Sequence, residues 1–294
     1  MRFEVVTFAQ TGSAGNWIEL RDTDAGSVAV IAPARGALVR SFSVGGRELL
    51  YLDENTFADP AKNVRGGVPV LFPAPGRLRD DVWQRHGRRG EMKQHGFARS
   101  EPWSEVERNI ADAANVVLAL QSHSGLHAQF PWQFAARLGI SLRGAILRIR
   151  FELTNLDDAP LPYALGFHPY FAVSDKVGAT IPTKASAAYN NRKKALEPFT
   201  GFHLTADELD LHLQDHGSDH CDMLLSNGSG IRVRASAAFT RWVVWTLGEQ
   251  PFVCVEPWTA GADALNTGEL LLHLPPNETA AHWMEIEALP GRPG

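Results

Sequence analysis

Leu147-Arg148-Ile149-Arg150-Phe151-Glu152-Leu153 alternates apolar and charged side chains without a break. A period of two is that of a strand with one dry face and one wet face. Arg143-Gly144 stands between this run and Gln133 to Leu142, which predicts a hairpin. The same period recurs at Ser27 to Ala32, Ala37 to Val44 with Gly45-Gly46 as its turn, and Asn115 to Leu120. It returns at Gly230 to Ser236, Arg241 to Leu247, Phe252 to Glu256 and His282 to Ala288. Helical periodicity is scarce, with a turn or two expected at Ala206 to Leu213. Strands that follow one another without intervening helices predict an all-β, antiparallel β-sandwich. No repeat and no linker divides residues 1–294, so one domain is expected. The polar stretch from Arg77 to Lys93 is expected to be an exposed loop.

The 294 residues are 44% hydrophobic and 21% charged, with a net charge of −5. That balance argues against a nucleic-acid partner, which needs a positive stripe to displace counterions. No apolar run approaches the roughly 20 residues of a membrane span, and residues 1–7 do not read as a signal peptide. Cys221 and Cys254 lie in apolar surroundings and read as free buried thiols in a reducing compartment. A cytoplasmic protein without membrane contact, monomer or homodimer, is the expectation.

Two segments place a titratable group inside an aromatic run. Gly166-Phe167-His168-Pro169-Tyr170-Phe171 carries an imidazole, and Val253-Cys254-Val255-Glu256-Pro257-Trp258 carries a carboxylate. Proline cannot donate to a sheet ladder, so the second strand is expected to end at Glu256. Burial there would raise its pKa above about 4.3. His168 could instead be an ordinary core histidine, but an unperturbed pKa of about 6.5 suits proton transfer. Arg65-Gly66-Gly67-Val68-Pro69 and Gln94-His95-Gly96-Phe97-Ala98-Arg99 set donors beside glycines, where a backbone can approach a ligand. His212, His216 and His220 are spaced by four, but Gly217-Ser218 breaks any helix between them, and no metal site is expected. No phosphate-binding glycine loop, dinucleotide fingerprint or nucleophile elbow occurs.

Taken in order, these five segments, with Asp219-His220-Cys221 as the fifth, resemble the aldose 1-epimerase family of galactose mutarotase-like proteins. The resemblance implies a large antiparallel sandwich with a cleft on one sheet, and interconversion of sugar anomers without a cofactor. It implies that Glu256 takes the proton of the anomeric hydroxyl while His168 protonates the ring oxygen. The two groups would lie on opposite sides of the C1–O5 unit, facing across a hollow wide enough for a pyranose. His95, Arg65 and Asp219 would hold hydroxyls. The Arg-Gly-Gly-Val-Pro and His-Gly-Phe-Ala-Arg combination is closer to the hexose-6-phosphate branch, where Arg65 and Arg99 would clip a phosphate. The competing functions are a carbohydrate-binding or sensor protein without turnover, and a glycosidase, which needs two opposed carboxylates.

Overall fold

A computed structural model of the chain describes residues 1–9, 15–85 and 87–291. The Ile146–Asn155 strand is the hub of a seven-stranded sheet, between Phe134–Arg143 and Thr279–Leu289. Its inward side chains Leu147, Ile149, Phe151 and Leu153 are all buried. Its outward side chains pair across the surface, Arg148 with Glu285 at 2.7 Å and Arg150 with Glu152 at 2.7 Å. Burying each inner side chain contributes about 1.5–3 kcal/mol, and each exposed pair about 0–1 kcal/mol. The dry face therefore fixes the register, and the charged face keeps the sheet soluble.

A second sheet of eight strands runs in the order Ala195–Pro198, Ala187–Asn190, Glu208–Leu213, Arg241–Leu247, Phe252–Trp258, Gly166–Phe167, Val70–Leu71, with Tyr170–Ala172 also on the Phe252–Trp258 strand. A third sheet of five strands is built from residues 3–48. Every strand pair in the three sheets is antiparallel. One continuous core cluster takes side chains from all three sheets. Phe72 shows the join: its ring lies 5.5 Å from Phe134 and 5.2 Å from Phe151, both on the seven-stranded sheet. The expected all-β antiparallel architecture is the observed one. No helix among the described residues is long and apolar enough to cross a membrane. Both cysteines are free and buried.

Three local expectations fail. Residues 208–213 form a strand, not a helical turn. Leu209, Leu211 and Leu213 alternate with Asp210 and His212, and that period of two outweighs weak helix propensity. The Arg77–Lys93 stretch contains a hairpin, Val82–Arg85 with Arg88–Glu91. Trp83 is fully buried there, and its Nε1 donates to the Gln129 carbonyl at 2.8 Å. Residue 86 of that hairpin lies outside the described residues. Finally, the Phe252 strand does not stop at Glu256 but runs through Pro257 to Trp258.

Candidate active site

Pro257 is tolerated in the middle of the sheet because its missing N–H falls where a ladder is open. On one side the strand pairs continuously with Arg241–Leu247, Val243 opposite Glu256 and Trp242 opposite Pro257. On the other side it pairs with Tyr170–Ala172 at Cys254 and with Gly166 at Trp258. These two contacts share one antiparallel register. Counting two residues inward from each puts His168 opposite Glu256. Directly opposed residues on one face are the closest cross-strand neighbours in a sheet. The His168 amide turns away and donates to the Pro69 carbonyl at 3.0 Å, and the Tyr170 amide donates to Gly67 at 2.9 Å. Thus the Arg65–Pro69 loop is pinned against the histidine segment. Gly66 is needed there: at φ 139°, a Cβ would lie 2.5 Å from the Leu52 Cα.

His168 Nε2 stands 3.4 Å from Glu256 Oε1. Glu256 is 1% exposed and His168 is buried. The imidazole stacks on Tyr170, ring centroids 4.6 Å apart and planes 6° from parallel, and meets the edge of Trp245. Trp258 Nε1 donates to the other carboxylate oxygen, Oε2, at 3.0 Å. His95 lies edge-on to His168 at 5.5 Å. The Gly76 amide donates to His95 Nδ1 at 3.0 Å, and the Gln94 side-chain amide lies 3.1 Å from His95 Nε2. Gly96 next to it has φ 72°, and a Cβ would sit 2.2 Å from the Phe72 carbonyl oxygen.

These residues line one cavity of about 410 Å³, together with Arg65 and Arg99. Arg65 is exposed at its rim, while Arg99 is half-buried and donates to the Gln94 carbonyl at 2.8 Å. Asp219 is not brought there. It begins the segment leading into the seven-stranded sheet, its side chain is 75% exposed, and it pairs with His220 at 2.9 Å. Besides Glu256, the acids lining the cavity are Glu208 and Asp210, with His212 two residues beyond Asp210. Asn191 donates to Asp210 Oδ2 at 2.7 Å, and His212 Nε2 lies 3.2 Å from Oδ1. The sequence reading considers His212 only as a metal ligand and does not single out Asp210, which lies in the stretch expected to form a helical turn. Their alternation with leucines was the available signal.

The expected separation of the pair also needs correction. His168 and Glu256 sit side by side on one floor, not on opposite walls. The anomeric oxygen and the ring oxygen of a pyranose are both bonded to C1, so two adjacent groups can each reach one of them.

Burial drives both groups toward their neutral forms. It pushes the Glu256 carboxyl well above the usual range, helped by the charge of Asp210 and opposed by the Trp258 hydrogen bond. It pulls the His168 imidazole down from 6.5 to about 3, helped by Arg99. Burial first, then His168 and Arg99, hold His95 well below its ordinary value. For Asp210 burial works upward, but the hydrogen bonds from His212 and Asn191 prevail and the carboxyl stays low. Ligand atoms of His168, Cys254 and Glu256 lie within 4.8 Å of one another, a spacing that could hold a metal. Cys254 would have to ionise for that, and burial pushes its thiol well up.

The sequence profile described as aldose 1-epimerase matches residues 18–287. The crystal structure of the Slr1438 protein from Synechocystis sp. PCC 6803 is 31% identical, with a TM-score of 0.90 over 97% of this chain and 96% of that one. The plasmid LacX protein of Lactococcus lactis is 27% identical over 73% of this chain and 80% of its own length. A Cenchrus ciliaris protein provisionally named a glucose-6-phosphate 1-epimerase is 32% identical over 53% of this chain and 46% of its own. The chain belongs to the aldose 1-epimerase family.

Proposed function

We propose that the protein is a mutarotase that interconverts the α and β anomers of a hexose or hexose 6-phosphate. The observation that carries this is the His168–Glu256 contact of 3.4 Å on the floor of the cavity. A volume of about 410 Å³ suits a small-molecule site, for which about 300–1,000 Å³ is usual. The pair shares one proton. In the empty site burial favours neutral imidazole and protonated carboxyl. Passing that proton across the contact gives imidazolium and carboxylate, the forms that ring opening uses.

The carboxylate of Glu256 then takes the anomeric hydroxyl proton while His168 Nε2–H protonates the ring oxygen. The C1–O5 bond breaks, and C1 becomes an aldehyde. The pair is now again neutral imidazole and carboxylic acid, the state that burial favours. Rotation about C1–C2 exposes the other face of the carbonyl. Closure reverses both transfers, with the O5 proton returning to His168 and the Glu256 proton going to the anomeric oxygen. No proton has to enter or leave the pocket.

Asp210 accepts and His95 donates hydrogen bonds to ring hydroxyls, and Arg65 and Arg99 supply positive charge for a 6-phosphate. The deciding experiment is NMR exchange between anomers of glucose, galactose and glucose 6-phosphate, measured side by side. Exchange no faster than buffer on every sugar, combined with saturable sugar binding, would replace this reading by the non-catalytic one.

A further inference from the structure

Next to the catalytic cavity lies a second one of about 810 Å³. Arg77, Asn191, Lys194, His212 and Ala262 line both, so the two are adjoining parts of one cleft. In the second stands Arg241, opposite Trp258 in the ladder and therefore on the cleft face beside it. Arg241 is 5% exposed. Its Nε has no hydrogen-bond partner. Among the described residues no acceptor takes a bond from the rest of its guanidinium. Its one ionic neighbour among the described residues is Glu269, at 4.0 Å and 71% exposed.

A buried guanidinium is ordinarily satisfied by a carboxylate fork or by carbonyls. Arg232 grips Asp222 with two bonds, at 2.7 and 2.6 Å, and Lys176 Nζ reaches Thr246 and Leu247. The Nε atoms of Arg35, Arg40, Arg85 and Arg99 also lack a partner, but Arg35, Arg40 and Arg99 donate through their terminal nitrogens. Two more acids, Asp80 and Asp263, line this cavity; Asp263 is already used by the Arg79 amide at 3.0 Å and by Asn266 at 2.6 Å, and neither is in an ion pair with Arg241. Gly261 gives the guanidinium its room, since a Cβ there would lie 2.7 Å from Nη1. The unused donors thus face a polar space that opens onto the sugar site.

We propose that Arg241 is the anchor of an anion subsite that takes a phosphate group, separate from Arg65 and Arg99. A planar fork with free N–H donors matches two phosphate oxygens, and desolvation strengthens such bonds. Lys194, whose Nζ is 2.8 Å from Asn191 Oδ1, adds charge at the boundary between the cavities. The phosphate is either that of the sugar substrate, in which case Arg241 holds the 6-phosphate in place of Arg65 and Arg99, or it is free in solution.

Both sources are separated by one set of experiments on the full chain. Inorganic phosphate is titrated at low ionic strength and followed by ³¹P NMR, with wild type, Arg241→Met and Gly261→Ala. The expected result is a rise of at least about tenfold in the phosphate Kd for each variant, while Arg99→Met retains the Arg241-dependent site. If the ligand is the substrate's own phosphate, the ratio of KM for glucose 6-phosphate to KM for glucose rises about tenfold in Gly261→Ala. If it is free phosphate, that ratio stays constant and only the titration changes. A wild-type chain that binds no phosphate, or folded variants that bind it as wild type does, overturns the subsite. Should Arg241→Met fail to fold, Gly261→Ala decides. The sugar-phosphate arm rests on the mutarotase reading, but the titration does not, so a chain without exchange activity can still pass it.

Discussion

Trp258 and Glu256 stand two residues apart on one strand, and the indole Nε1 of the first donates to Oε2 of the second at 3.0 Å. The bond assigns the two carboxylate oxygens to different partners: Oε2 to the indole, Oε1 to His168. It also works against burial by favouring the charged carboxylate. Trp258→Phe keeps the ring and removes the donor. The Glu256 carboxyl should rise further, so the limb of the pH–rate profile that it governs should move to higher pH. A fall of about tenfold in kcat is expected, near the low end for a hydrogen bond to a charged group. Anomer-exchange rates across pH check both outcomes.

The acid and the base should act as a unit. Glu256→Gln and His168→Asn should each lower kcat by about 10²–10⁴. Because they hold one proton between them, the double variant should lose little more than the worse single one. Fully additive losses would contradict a shared proton. Polarimetry of freshly dissolved α-glucose provides the measurement.

Asp210 and Asp219 offer a matched pair of tests. The charge of Asp210 helps raise Glu256. Asp210→Asn should therefore lower the Glu256 pKa and shift its limb to lower pH. It should also raise KM about tenfold through loss of a charge-assisted hydrogen bond to substrate. Asp219→Asn, at an exposed position on the other sheet, should change neither kcat nor KM by more than about twofold.

Buried neutral histidine couples stability to pH. His168 titrates near 3 in the folded chain and at its ordinary 6.5 when unfolded. Its stabilising contribution is complete above 6.5 and is lost as pH falls toward 3, because only the unfolded chain takes up the proton. The slope is about 1.4 kcal/mol per pH unit in that window. His168→Gln should flatten the urea-unfolding free energy between those limits by that slope, and leave the alkaline side unchanged.

How much of this was legible in the chain depended on how local the signal was. The 147–153 strand is decided by its own alternation, and it is the hub of its sheet. Glu256 and His168 could be singled out because each is a lone charged or polar group in an aromatic run. Their side-by-side placement could not be read, since it depends on a ladder opening between Cys254 and Trp258. Asp210 was hidden by neighbouring alanine and leucine that suit a helix equally well, and His212 was read only for its spacing to two other histidines. Asp219 rested on the resemblance of Asp219-His220-Cys221 to a family segment, and no local pattern records that the strand after it joins the opposite sheet. Trp83 turned a polar stretch into an anchored hairpin through contacts with residues 129–132, which are remote in sequence.

The seam between the histidine segment and the Phe252–Trp258 strand is stitched at Tyr170–Cys254 and again at Gly166–Trp258, and left unstitched between. Such a seam behaves as a fixed gauge. The spacing of His168 and Glu256 cannot widen unless a stitch on one side gives way, so the hydrogen-exchange rates of those flanking amides should report directly on how often that spacing is lost.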